Sequence, residues 1–353
     1  MPRNPYLRVF LIAVLLVGFI FSSIFGTLFY SRYTLAQRVA ATHRLEFWKD
    51  AMARPLTERI GPAPLALVEL VNYSSSLDGL EEKAYVPNLP PGFEKDLRVA
   101  LEGLPPQVLS AAQSKLAGIY FMSGFRGSGM ADYLLDAKGR SAGGVIMVDP
   151  IVFEQRNANQ WLSWKENQPF HDDRSGWQLR GVLAAPGEDS RVRALQFHLL
   201  HEIAHVLSFG TDLAPPLRMA QRTDPGYPSY PYMNLGWRTK GDSYVLIPSQ
   251  TLPGRADLRY YGVGKGMPTA EAPTFYAGLQ TTSLPTAYGA TNPWDDFAEA
   301  FATYVHVEIM GRPYQIQLYR NGTLMNTYTS CWTSKRCENR RPFIEAVLRK
   351  KDG

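Results

Sequence analysis

With 353 residues the chain is long enough for one large hydrophobic core or two modest ones, and 45% hydrophobic with 20% charged residues is the balance of a globular protein. A formal net charge of +5, dispersed without a dense Lys/Arg block, excludes a nucleic-acid-binding footprint. No internal repeat or low-complexity tract is present, which excludes solenoids and compositionally biased tails.

After a short tail (1–8), residues 9–31 form an uncharged run rich in Leu, Ile, Val and Phe between Arg8 and Arg32. As a helix this run would span about 34 Å, enough for a bilayer core of about 30 Å. A cleaved signal peptide has a shorter apolar core and a small-residue cleavage site. Here the run stays aromatic up to Phe29-Tyr30, so the expectation is an uncleaved single-pass transmembrane anchor, followed by a juxtamembrane helix or stalk over 32–60. Arg3 and Arg8 precede the run, while Arg32, Arg38, Arg44 and Lys49 follow it, so charge counting does not orient it. Cys331 and Cys337 lie six apart in a polar segment. They are either a small disulfide-closed loop of an oxidising compartment or two unrelated thiols. The first alternative goes with a domain on the periplasmic or extracellular side.

Further along, 65–71 is a short helix or strand, and 92–109, with Pro105-Pro106 near its end, reads as helix-poor. Runs 118–122 and 144–149 are strand-like. Between them, Gly124-Phe125-Arg126-Gly127-Ser128-Gly129 lacks the Lys-Ser/Thr of a phosphate loop and reads as a loop or hairpin. The strand over 143–148 is either plain core or a sheet edge to which an extended peptide adds itself. The cluster His171-Asp172-Asp173-Arg174 reads as a solvated loop, because adjacent side chains diverge. Residues 211–292 form a long Pro-, Gly- and Tyr-rich insertion with a hairpin over 235–247.

The chemistry concentrates in His201-Glu202-Ile203-Ala204-His205. Leu195, Leu199, Ile203, Val206 and Leu207 recur at spacings of three and four, which predicts a helix over 191–208. Positions 201 and 205 then lie about 40° apart on one face, one turn from each other. Two imidazoles there can reach one zinc ion, and Glu202 projects alongside as a general base that is not itself a ligand.

A catalytic zinc needs a third protein ligand and an open position. The metzincin pattern fails, because it requires Gly and His where this chain has Ser208 and Thr211. A second helix is predicted to start at Asn292-Pro293, with Phe297, Ala298, Phe301, Ala302 and Val305 as its apolar face. Glu299 lies among them, and a carboxylate buried there is costly unless it meets a metal or a counter-charge. His306 and the Asp172 cluster are weaker candidates.

The motif His201-Glu202-x-x-His205, with the later Asp296-Phe297-Ala298-Glu299-Ala300-Phe301, resembles the gluzincin clan of zinc metallopeptidases. The nearer likeness is to members whose third ligand lies on an Asp-Phe-Ala-Glu-x-Phe helix behind a Tyr-containing loop and an Asn-Pro start. It follows the order of elements over 143–305, although only two short segments are specific. The resemblance implies His201, His205 and Glu299 as ligands of one zinc ion and Glu202 as the general base. It makes Tyr288 the candidate hydroxyl donor to a tetrahedral oxyanion. Asp296, one turn before Glu299, is either a carboxylate that orients His201 or His205 or an ordinary acid of the helix N-terminus. The chain departs where some gluzincins have an acid four residues after the third ligand (Thr303 here) and in the long interval between His205 and Glu299.

The combined expectation is an α+β, zincin-like catalytic domain over 61–353 behind a transmembrane helix, hydrolysing protein or peptide substrates. Two alternatives stand beside it. One is a zinc hydrolase of a cell-envelope polymer amide; the other is a membrane-tethered binding module with a structural zinc, against which Glu202 argues.

Overall fold

The computed structural model describes residues 33–216, 229–241, 243–262 and 266–349. The expected transmembrane helix at 9–31 lies outside them. Among the described residues no helix is long and apolar enough to cross a membrane.

The fold is mixed α+β. A four-stranded sheet contains β1 (Ile60–Pro62), β2 (Leu116–Phe121), β3 (Gly129–Leu135) and β4 (Ser141–Val148) in the order β1-β2-β4-β3. The first three of that order run parallel and β3 is antiparallel at the edge. The strand read from the sequence as a possible edge, β4, is interior, and the edge beside it is β3, the segment following the glycine-rich loop. A second sheet joins β5 (Trp177–Val182), β6 (Gln315–Arg320) and β7 (Thr323–Thr329), all antiparallel, with β6 in the middle.

Helices cover this frame. α1 spans 33–42, followed by α2 (Leu65–Leu77), α3 (Phe93–Glu102) and α4 (Pro106–Gln113). The α3–α4 pair is where the helix-poor reading fails. Phe93, Leu97, Ala100 and Leu101 are all buried, a stripe at helical spacing, and Pro105-Pro106 ends nothing because Pro106 sits in the first turn of α4. The stretch expected as a stalk is packed against the sheet: Val39, Trp48 and Leu56 are buried, and His43 lies 3.0 Å from Asp132 of β3.

α5 (Ala158–Asn167) opens with a capping box between Asn157 and Gln160. α6 (Arg191–Ser208) covers the span its periodicity predicts, capped by the Ser190 hydroxyl on the Arg193 N–H. From Ala194 to Ser208 every residue except His205 is buried. α6 is therefore the central helix, packed on α3, α5, α8 (Pro293–Tyr304) and the inner face of the first sheet. α7 (Ala272–Leu279) and α9 (Arg341–Arg349) complete the set. The hairpin expected in the insertion is present, Trp237–Lys240 pairing with Ser243–Leu246. Cys331 and Cys337 are joined in a disulfide.

Candidate metal centre

The site forms where α6 crosses α8. One helical turn separates His201 from His205, and their Nε2 atoms converge to 3.1 Å. α8 starts where Asn292 accepts hydrogen bonds from the Trp294 and Asp295 N–H groups, with Pro293 in the first turn. That start aims Asp295 at the histidines: its Oδ1 is 3.6 Å from His201 Nε2 and 3.3 Å from His205 Nε2. The three ligand atoms all lie within 4.8 Å of one another. Tetrahedral zinc with bonds of about 2.0–2.1 Å needs neighbouring ligand atoms about 3.3 Å apart. The separations of 3.1, 3.3 and 3.6 Å bracket that value, so this donor set fits the ion.

Glu299, expected as the third ligand, stands elsewhere. Its Oε1 is 2.9 Å from His201 Nδ1, on the far side of the ring from Nε2, and 2.5 Å from Lys165 Nζ. It therefore stands behind the His201 ring as a charge partner at ion-pair distance, while His201 Nδ1 has no hydrogen-bond partner among the described residues. Although burial opposes ionisation, the Lys165 ammonium and His201 hold the Glu299 carboxyl down at about 2.

Asp296, a candidate for orienting a ligand imidazole, has no such part. Its Oδ1 is 2.8 Å from Arg340, and its Oδ2 accepts from Trp237 Nε1 at 2.7 Å. Consecutive helical residues point about 100° apart, so with Asp295 facing the histidines its neighbour must face away. Glu299, four residues on, returns to the Asp295 face.

Glu202 is buried beside the histidines, and its Oε2 has no hydrogen-bond partner among the described residues. Burial pushes its carboxyl above the ordinary value, partly offset by His201 and His205. His198, one turn earlier, packs its ring against Phe153 and Trp161 with Nδ1 3.7 Å from Glu202.

Tyr288 begins a single turn just before α8. A side chain at Gly289 would run into Pro285 and the Glu299 Cβ, so the turn can press closely on α8. The Tyr288 ring centroid is 5.6 Å from that of His201 and 4.8 Å from that of Tyr260. Burial, then the nearby Asp295 carboxylate, raises its phenol well above the usual range, so it stays protonated and able to donate. Tyr260 and Tyr261 extend this aromatic wall to Trp164.

The remaining candidates serve elsewhere. His306 Nε2 lies 2.9 Å from the Leu183 carbonyl and 3.0 Å from that of Pro313. Asp173 accepts from the Thr269 hydroxyl and the Ser175 N–H, and so organises its own loop. Reasoning from the sequence missed Asp295 and Lys165. Both had a signal: Asp295 lies at i−4 from Glu299, and Lys165 falls on the stripe Ala158, Trp161, Leu162, where an apolar residue belongs. No protein-family model, curated protein or solved structure matches the chain.

Proposed function

We propose that this chain is a membrane-anchored zinc metallopeptidase with its zincin-like domain outside the cytoplasm, and with an aspartate, Asp295, as third ligand in place of the glutamate ligand of a gluzincin. The observation that carries the reading is the convergence of His201 Nε2, His205 Nε2 and Asp295 Oδ1 beside Glu202, whose Oε2 has no hydrogen-bond partner among the described residues. A structural zinc needs no such acid and takes four protein ligands.

When bound by His201, His205 and Asp295, zinc supplies a Lewis acid that polarises a carbonyl and acidifies water. Glu202, its carboxyl biased upward by burial, takes the proton of the attacking water and hands it to the leaving amine. The Tyr288 phenol donates to the oxyanion that develops on the scissile carbonyl. Glu299 stands 2.9 Å behind His201 Nδ1 and supplies a negative charge to the back of that ring.

Peptide as substrate class is supported by the antiparallel edge strand β3, which pairs with β4 on one side and on its outer side is bridged to Arg44 at its far end, Leu135. Its first residue, Gly129, abuts His198 so closely that no Cβ fits, which brings that edge against the motif helix. The uncharged apolar run at 9–31 supports a membrane tether, and the Cys331–Cys337 disulfide supports an oxidising compartment.

The test is bound zinc per chain, together with hydrolysis of a mixed-sequence peptide library, for the full chain in detergent. Wild type and Glu202→Gln are expected to hold one zinc, with hydrolysis by wild type and a loss of about 10²–10⁴-fold in Glu202→Gln. A folded wild type that holds zinc and cleaves no peptide would defeat the peptidase reading; one that holds no zinc would defeat the metal centre itself.

A further inference from the structure

We propose that Lys165 is a positioning residue of the metal centre: one buried ammonium holds both Glu299 against His201 and the Tyr288 ring at the site. The inference rests on the metallopeptidase reading above and adds a residue from a helix that supplies no ligand.

The core-facing stripe of α5 comprises Ala158, Trp161, Leu162, Lys165 and Glu166. Lys165 is 3% exposed, and a cation so buried is strongly unfavourable unless it is paired. Three contacts surround its Nζ. Glu299 Oε1 lies 2.5 Å away, the Tyr288 ring centroid 4.5 Å and the Trp161 ring centroid 5.6 Å. The same Glu299 oxygen is the one 2.9 Å from His201 Nδ1, an ion-pair distance without a hydrogen bond, so a single atom lies between the ammonium and a candidate ligand imidazole. The ammonium also lies over the Tyr288 ring, and a desolvated cation over a ring face is strongly attracted.

A lysine that merely neutralised a buried acid would need only the carboxylate contact. Lys165 instead has two separate routes to the centre, one to the metal through Glu299 and His201, one to the proposed oxyanion donor through the face of its ring. These routes predict separable effects. Loss of the first weakens metal binding, and loss of the second slows turnover at an occupied site.

The experiment uses the full chain in detergent as wild type, Lys165→Met, Lys165→Arg, Glu299→Gln and the double variant Lys165→Met/Glu299→Gln. Zn²⁺ affinity is read by competition with a chelator, geometry by the absorption spectrum of the Co²⁺-loaded protein, and kcat and KM on the library peptide that wild type cleaves fastest. Lys165→Met is expected to bind Zn²⁺ about 10–100-fold more weakly, to alter the Co²⁺ spectrum, and to lose about tenfold in kcat with little change in KM. Lys165→Arg, which keeps the charge, should recover part of both. The double variant, which has no unpaired buried charge at this pair, should match Glu299→Gln in Zn²⁺ affinity while turning over more slowly.

If Lys165→Met loses thermal stability but keeps wild-type affinity, spectrum and kcat, the lysine is only structural and the inference is overturned. Should Lys165→Met fail to fold, the double variant decides, and a kcat equal to that of Glu299→Gln overturns the positioning of Tyr288. A wild type without metal would remove the reading beneath the inference and the inference with it. A metal-loaded wild type beside an unaffected Lys165→Met would remove the inference alone.

Discussion

Helix α8 carries two buried charge clusters on neighbouring faces, and they are built to different ends. On one, Asp296 meets Arg340 and Trp237, while Arg340 also donates to the Ser283 carbonyl at 2.8 Å and to the Tyr232 hydroxyl at 2.7 Å. That network closes on itself and ties the insertion and the disulfide-bearing C-terminal segment to the helix. On the other face, Asp295 and Glu299 meet His201, His205 and Lys165, yet the second oxygens of Glu202 and Glu299 have no protein hydrogen-bond partner among the described residues. A closed network avoids the penalty of buried, unpaired polar groups; the second network carries that penalty, a departure that is expected at functional sites.

The contrast is tested most severely by the same substitution at adjacent residues. Asp295→Asn should abolish detectable Zn²⁺ binding and peptide hydrolysis while leaving a folded protein, as read by metal analysis and circular dichroism. Asp296→Asn should keep the metal and lower stability by about 3 kcal/mol in urea titration, because Arg340 is left buried without its counter-charge. If Asp296→Asn stripped the metal at unchanged stability, the two faces would not be separable.

A smaller effect sharpens the comparison through a third buried acid. Glu166 follows Lys165 on α5 and accepts from the Tyr276 hydroxyl at 2.5 Å. Burial raises its carboxyl from 4.5 to about 7, an effect that Lys165 and Tyr276 oppose only in part. The folded chain therefore holds this proton more tightly than the unfolded chain. The stability involved is fully present below pH 4.5 and is lost as pH rises through 7, up to about 3 kcal/mol. Urea midpoints measured across pH 4.5–8 should show that decline in wild type and a flatter profile in Glu166→Gln. An identical slope in both would assign the decline to other groups.

Much of the site could be read locally. The pairing of His201 with His205, the position of Glu202 and the start of α8 at Asn292-Pro293 all follow from helical geometry and capping within a few residues. Other features were misread because their evidence is not local. The α3–α4 pair was obscured by prolines, which break a helix interior but suit a first turn. β3 was hidden behind glycines that belong to the loop before it.

The chain by itself therefore determined which residues share a face: two histidines one turn apart on α6, and Asp295 and Glu299 one turn apart on α8. It could not determine which of those two carboxylates meets the Nε2 atoms and which stands behind His201. That assignment depends on where α8 crosses α6, on the Tyr288 turn pressed against Glu299, and on a lysine reaching in from α5. Periodicity acts over one helix at a time, whereas a metal centre is a point in space reached from several, and only packing in three dimensions selects the atoms that arrive there.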